Sequence, residues 1–154
     1  MYKKILEEER ERVRYTVLRM QNGIFPFHAD AYEAGVKTAI GRCLLAYYLE
    51  SGRITDATRA VVVHGAGNTV TAVSLAAREL APHLKVVAVV YAETTEGTRR
   101  RLEARGIEVS AEAPRSLGQS GRRSVAEELC ATERGYVQIE QHEEPLIIEI
   151  QRET

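Results

Sequence analysis

The segment Gly65-Ala66-Gly67-Asn68-Thr69 follows an unbroken apolar run, residues 60–63, and leads into a helical pattern. Glycines there let a backbone approach a ligand closely, and the first amides of a helix offer unpaired N–H groups to an anion. The segment matches neither the P-loop nor the dinucleotide-binding pattern. Alone it predicts either an anion or cofactor loop, or a tight turn in which Asn68 or Thr69 caps the helix.

Lys37 is the second candidate. It lies on the edge of an apolar stripe formed by Ile40, Cys43, Leu44, Tyr47 and Tyr48. A lysine so placed either snorkels to solvent or is held in a pocket as an amine fit for Schiff-base chemistry. The third is the polar stretch from Gln138 through Glu140 and Gln141 to His142, at the end of the last apolar run. It predicts either a contribution to the same rim as the glycine loop or a solvent-exposed strand end. The four histidines show no metal spacing with cysteines or carboxylates, so no metal is expected, and no G-x-S-x-G elbow is present.

The elements that must hold these residues alternate. The i, i+3, i+4, i+7, i+8 stripe predicts a helix over about 33–50, which Gly52 stops. Residues 60–63 form a continuous apolar strand of the kind covered on both faces. A second helix follows at about 70–80, closed by Pro82, then a buried strand at 86–91. Thr94 or Thr95 caps a third helix that ends at Gly106, and 107–109 is a short strand. A polar loop over 116–121, a helix to about 133 with Val125, Leu129 and Cys130 inward, and a strand at 136–139 complete the set. Beyond Pro145, residues 146–148 and Ile150 read as a further strand or a docking tail.

Strands alternating with helices mean right-handed βαβ units and a three-layer α/β/α sandwich with a four-stranded parallel sheet, Rossmann-like in architecture. The 154 residues read as one domain. Within it, residues 1–14 read as a charged helical arm, either mostly solvated or partner-seeking, and 15–20 is β-prone. Hydrophobic content of 44% fits a packed core, and a net charge of −1 argues for neither nucleic acid nor a cationic partner. Cys43 and Cys130 read as buried thiols. No secretory leader or apolar run of membrane-spanning length appears, so a cytoplasmic protein is expected. The Met1 start and polar C-terminus are read as those of a complete polypeptide.

In order and spacing these pieces resemble the cysteine synthase and tryptophan synthase β-like family of PLP-dependent (fold type II) enzymes. A family loop ending Ser-Val-Lys-Asp-Arg is matched by Gly35-Val36-Lys37-Thr38, and the family's Thr-Ser-Gly-Asn-Thr by Gly65 to Thr69. Its Pro-Glu-Thr, followed by a helix with Arg-Arg-x-Leu, is matched by Tyr91-Ala92-Glu93-Thr94 and Arg100-Arg101-Leu102. Its Gln-Phe-x-Asn-Pro is echoed by Gln141 to Pro145. The resemblance covers the first half of such an enzyme, from about Glu33 to Glu149.

That resemblance implies that Lys37 bonds covalently to PLP and that Asn68 hydrogen-bonds the ring hydroxyl of the cofactor. It implies that Gly65, Ala66, Gly67, Thr69 and Gln141 grip the α-carboxylate of an amino-acid substrate, in β-elimination or β-replacement. Two departures stand out. Gly65 and Ala66 replace hydroxyl residues, and the second domain that anchors the cofactor phosphate has no counterpart in the chain. Two functions follow as expectations: half of a split enzyme completed by a second-domain protein, or a non-catalytic relative acting as a sensor of a small anionic or amino-acid-like ligand or as a protein-interaction module. Either way a homo-oligomer or a complementary partner is expected, because half of such an enzyme exposes the face that met its other half.

Overall fold

The computed structural model describes residues 1–21, 37–141 and 145–153. The apolar runs form four strands: β1 (Ala60–His64), β2 (Lys85–Tyr91), β3 (Ile107–Ala113) and β4 (Tyr136–Gln138). All pair in parallel, in the order β3-β2-β1-β4. Every residue of β1 is buried, as a central strand covered on both faces requires.

The period of two sorts the strand residues between two cores. Val61, Val63, Val86, Ala88 and Val90 face the larger one, where α1 (Tyr2–Gln21), α2 (Lys37–Glu50), α3 (Asn68–Leu80), α4 (Glu96–Glu103) and α6 (Pro145–Glu153) contribute apolar residues. Ala60, Val62, Val87 and Val89 face the smaller one, covered by α5 (Gly118–Thr132) through Ala126, Val125 and Leu129. The architecture is the expected three-layer sandwich. Leu44 and Leu45 are fully buried, each contributing roughly 1.5–3 kcal/mol of transfer free energy.

Helices α2 and α3 touch at Gly41, where a Cβ would lie 2.6 Å from the Ala72 backbone carbon. Only glycine permits that approach. On the outer side of this pair, Arg42 reaches three carboxylates: Glu79 at 2.8 Å through Nε, Glu9 at 2.7 Å and Glu8 at 3.0 Å. Glu9 also accepts from Arg12 and is only 1% exposed. This network, with buried Ile5 and Leu6, fastens α1 to α2.

Several expectations are corrected. Most residues of the arm are exposed, as expected, but one face of it docks through Ile5, Leu6 and Glu9. The β-prone residues 15–20 continue α1 as helix. A short run without a strand partner gains nothing from β propensity, which rests on cross-strand packing. Residues 118–121 belong to α5 after a 3₁₀ turn at Arg115–Leu117, rather than to a loop. Gly121 is buried because Leu117 folds over it; a Cβ there would lie 2.3 Å from that of Leu117. The tail after Pro145 is helical, with Leu146 and Ile150, four residues apart, both turned into the core. Strand β3 extends to Ala113, beyond the expected 109. Cys43 is fully buried, whereas Cys130 is only half-buried. The start of the helix expected from residue 33 lies outside the described residues. Among these residues no helix is long and apolar enough to cross a membrane.

Candidate functional site

Strand β1 delivers His64 to the carboxyl edge of the sheet, where open α/β folds bind ligands. The Gly65 amide donates to the Val89 carbonyl at 2.9 Å, carrying the β1–β2 ladder one residue past the strand. The chain then turns through Ala66 and Gly67 into α3. Gly67 occupies the cap position, and no side chain accepts a hydrogen bond from the helix start. The alternative reading of Asn68 or Thr69 as the cap is therefore not what forms.

Asn68 is exposed, and its side chain makes no hydrogen bond among the described residues. A Cβ at Gly67 would meet nothing within 4 Å, so the turn is open to an approaching molecule. Ala66 packs partly on the larger core, and Thr69 is buried. The exposed donors here are the first amides of α3 and the Asn68 amide.

The facing side of the rim comes from the chain beyond β4. Ile139 donates its amide to the Val62 carbonyl at 2.9 Å, prolonging the ladder, and is itself fully buried. The Glu140 amide donates to the Tyr48 hydroxyl at 3.3 Å. Gln141 Nε2 donates to the His64 carbonyl at 3.4 Å. Gln138, Glu140 and Gln141 are half-buried, so this segment is not a solvent-exposed strand end.

Between the two sides lies a contact that sequence reasoning missed. His64, 2% exposed, places Nε2 3.3 Å from Glu140 Oε1, and Arg123 Nε stands 3.5 Å from the other carboxylate oxygen. Since an ionised carboxylate only accepts, the imidazole Nε2 is the donor. Glu140 thus joins β1, α2 and α5 at one point beneath the loop. The available signal was a histidine directly ahead of a glycine turn, together with a carboxylate beside the polar strand end.

Lys37 is the first residue of α2 and is partly buried. No hydrogen bond or ion pair among the described residues joins it to Asn68 or Gln141. It stands four residues ahead of Gly41, as Asn68 stands four ahead of Ala72, so both open helices that meet at that glycine contact. Gln141 is tied to the base of the glycine loop, whereas Lys37 is linked to it only through helix packing. His142 lies outside the described residues. Neither cysteine offers a reactive thiolate: burial pushes the Cys43 thiol up to about 12 and the Cys130 thiol up to about 11. Among the described residues no cluster of three or more histidines, cysteines and carboxylates could hold a metal.

The family described as "Pyridoxal-phosphate dependent enzyme" matches residues 34–154. Among solved structures, an O-acetylserine dependent cystathionine beta-synthase from Helicobacter pylori is 30% identical, with a TM-score of 0.64 over 73% of this chain and 36% of that one. A cystathionine beta-synthase from Bacillus anthracis is 27% identical, with a TM-score of 0.56 over 68% of this chain and 39% of that one. An O-ureido-L-serine synthase, 22% identical with a TM-score of 0.64 over 77% of this chain, shares the fold. No curated protein matches. The chain spans little more than a third of the length of the structures it matches.

Proposed function

We propose that this chain, which belongs to the pyridoxal-phosphate dependent enzyme family, is the cysteine-synthase-like half of a split enzyme acting on amino acids by β-elimination or β-replacement. The observation that carries the reading is the uncapped start of α3, where Asn68 is exposed without a partner and the space over Gly67 is open. A helix start left without a side-chain cap keeps its amides available to an anion.

The residues present fit PLP in part. Lys37 would carry the cofactor covalently, and the Asn68 amide would donate to its ring hydroxyl. The Gly65–Thr69 amides and Gln141 would bind the substrate carboxylate. Bound there, PLP supplies an electron sink for carbanion chemistry. The chain's own contribution is orientation and charge complementarity. Glu140 holds the two sides of the rim in register through His64, Tyr48 and Arg123. No group on the chain is assigned to the cofactor phosphate, so a complementary second-domain protein is part of the proposal.

A second reading, a non-catalytic sensor of a small anionic or amino-acid-like ligand, is favoured by one observation. Gly65 and Ala66 bring no hydroxyl to the loop, which leaves substrate binding to backbone amides.

Borohydride trapping with excess PLP, followed by peptide mapping, tests the shared core of both readings. Label is expected on Lys37, lost in Lys37→Ala and weakened in Asn68→Ala. Label spread over surface lysines, unchanged in both variants, sinks the assignment. The isolated chain is expected to show no turnover of O-acetylserine or serine, because an unanchored cofactor forfeits the orientation contribution, roughly 7–11 kcal/mol. Pyruvate formation that appears only when a second protein is added selects the split enzyme. Ligand binding that persists without any turnover selects the sensor.

A further inference from the structure

Strand β2 ends at the carboxyl rim on Tyr91, which pairs with Ala113 of β3 and lies two residues beyond Val89, the partner of His64. The turn after it is pinned. Arg99 donates to the Thr94 and Ala92 carbonyls, each at 3.1 Å, and meets Glu112 at 2.6 Å. Tyr91 shares the parity of Val87 and Val89, so its ring lies on the face of the sheet that α5 covers. There it carries two cations. The Arg122 guanidinium carbon, from α5, stands 4.1 Å from the ring centroid, and that of Arg115, from the turn after β3, stands 5.5 Å from it.

Neither cation is compensated. Among the described residues, neither the Arg115 nor the Arg122 side chain makes a hydrogen bond or an ion pair, and the Arg122 Nε–H is buried without an acceptor. The nearby Glu93 carboxylate accepts instead from the Arg115 backbone amide at 3.1 Å. The next arginine along α5 shows the contrast: Arg123 Nε meets Glu127 at 3.0 Å and Glu140 at 3.5 Å. Two like charges gathered on one ring repel, and a buried N–H without an acceptor is destabilising, so the arrangement calls for an anion. The ring also prepares the arginines for one. A guanidinium held over an aromatic face is already ordered, so it loses little freedom when it takes a ligand.

The geometry points to an oxyanion site at Tyr91, where the Arg115 and Arg122 guanidiniums bind a phosphoryl group. Two guanidiniums match the double charge and several oxygens of a phosphate better than the single charge of a carboxylate. The group comes either from free phosphate or from a phosphorylated amino acid whose carboxylate reaches the Gly65 turn. That turn is one strand away, since the Gly65 amide donates to the Val89 carbonyl, and neighbouring strands are about 5 Å apart. The site uses none of Lys37, Asn68 and Gln141, and stands or falls independently of the proposed PLP chemistry.

The test is NMR titration of the ¹⁵N-labelled full chain with inorganic phosphate and, separately, O-phospho-L-serine, against chloride at matched ionic strength. Saturable shifts are expected at the Arg122 Nε–H and at the amides of residues 115–122, unchanged in Lys37→Ala. Arg122→Gln should weaken binding about tenfold or more, the loss expected for a charge-assisted hydrogen bond. Arg115→Gln, at an exposed position where the fold stays intact, should weaken it about threefold. Tyr91→Phe keeps the ring and should bind as the parent does, whereas Tyr91→Leu should weaken binding about threefold. Phosphoserine binding no tighter than phosphate identifies the free ion as occupant. Tighter binding, with added shifts at residues 65–69, identifies the amino acid. Shifts that do not saturate, that chloride reproduces, or that keep their affinity in both arginine variants overturn the site.

Discussion

Two regions of this molecule treat charge in opposite ways. On the outer flank, Arg42 spends its guanidinium on Glu8, Glu9 and Glu79, and the buried Glu9 is further satisfied by Arg12. At the carboxyl rim, the first turn of α3 is left without a cap and Asn68 without a partner. The flank is built to be stable; the rim keeps polar groups unspent, which is what a ligand requires. Polar residues in a fold therefore divide by whether their hydrogen-bonding capacity is already used.

The sharpest way to break this comparison is Arg42→Met. Removing one partner of a buried pair commonly costs about 3–5 kcal/mol, and because Arg12 still holds Glu9 the expected loss here is about 2–3 kcal/mol. Thermal unfolding followed by circular dichroism should show a fall of several degrees, since 1 kcal/mol corresponds to roughly 2–4 °C at this size. A shift within about 0.5 kcal/mol of zero would mean that the flank is ordinary solvated surface.

A smaller effect is expected from alkali. Burial first, and then the nearby Glu9 charge, pushes the Cys43 thiol from 9.0 up to about 12. The fold favours the neutral thiol, so this contribution is intact below about pH 9 and declines as pH rises from there through about 12. The slope approaches about 1.4 kcal/mol per pH unit for one group. Denaturant midpoints measured from pH 8 to 11 should fall above 9 in the parent and fall less steeply in Cys43→Ala. Parallel curves would place the alkaline loss elsewhere, with Tyr2, raised to about 12 chiefly by burial, the next group to test.

The smallest stability effect is expected at the rim. Asn68→Ala should change unfolding free energy by less than about 0.5 kcal/mol, because the side chain holds nothing in the fold. A loss near 1 kcal/mol would instead mark a helix cap. The same variant is the one expected to weaken PLP labelling, so stability and binding should separate cleanly.

The parallel sheet was legible because β1 and β2 are unbroken apolar runs that only a two-sided strand explains. Strand β3 read short because Ile107-Glu-Val-Ser-Ala-Glu-Ala113 alternates, as an edge strand with one wet face does. The last helix read as strand or tail because Leu146-Ile-Ile148 is too brief for a period to show. Lys37, Asn68 and Gln141 were singled out by the order of motifs, while spacing alone left each ambiguous. The pairing of His64 with Glu140 escaped because it spans 76 residues, a distance no local pattern reports.

That span also fixes an order of events in time. The first strand of the sheet, β1, has its last partner in β4, whose register sets Ala60 beside Tyr136. During synthesis the glycine turn emerges early, but the residues that brace it, Ile139 to Gln141, emerge only after three further α-helices and three further strands. Closing so long a loop is entropically costly before its contacts repay it. A nascent chain stopped before β4 carries the turn without its brace, so the rim proposed to bind a ligand is completed only when synthesis has passed Gln141.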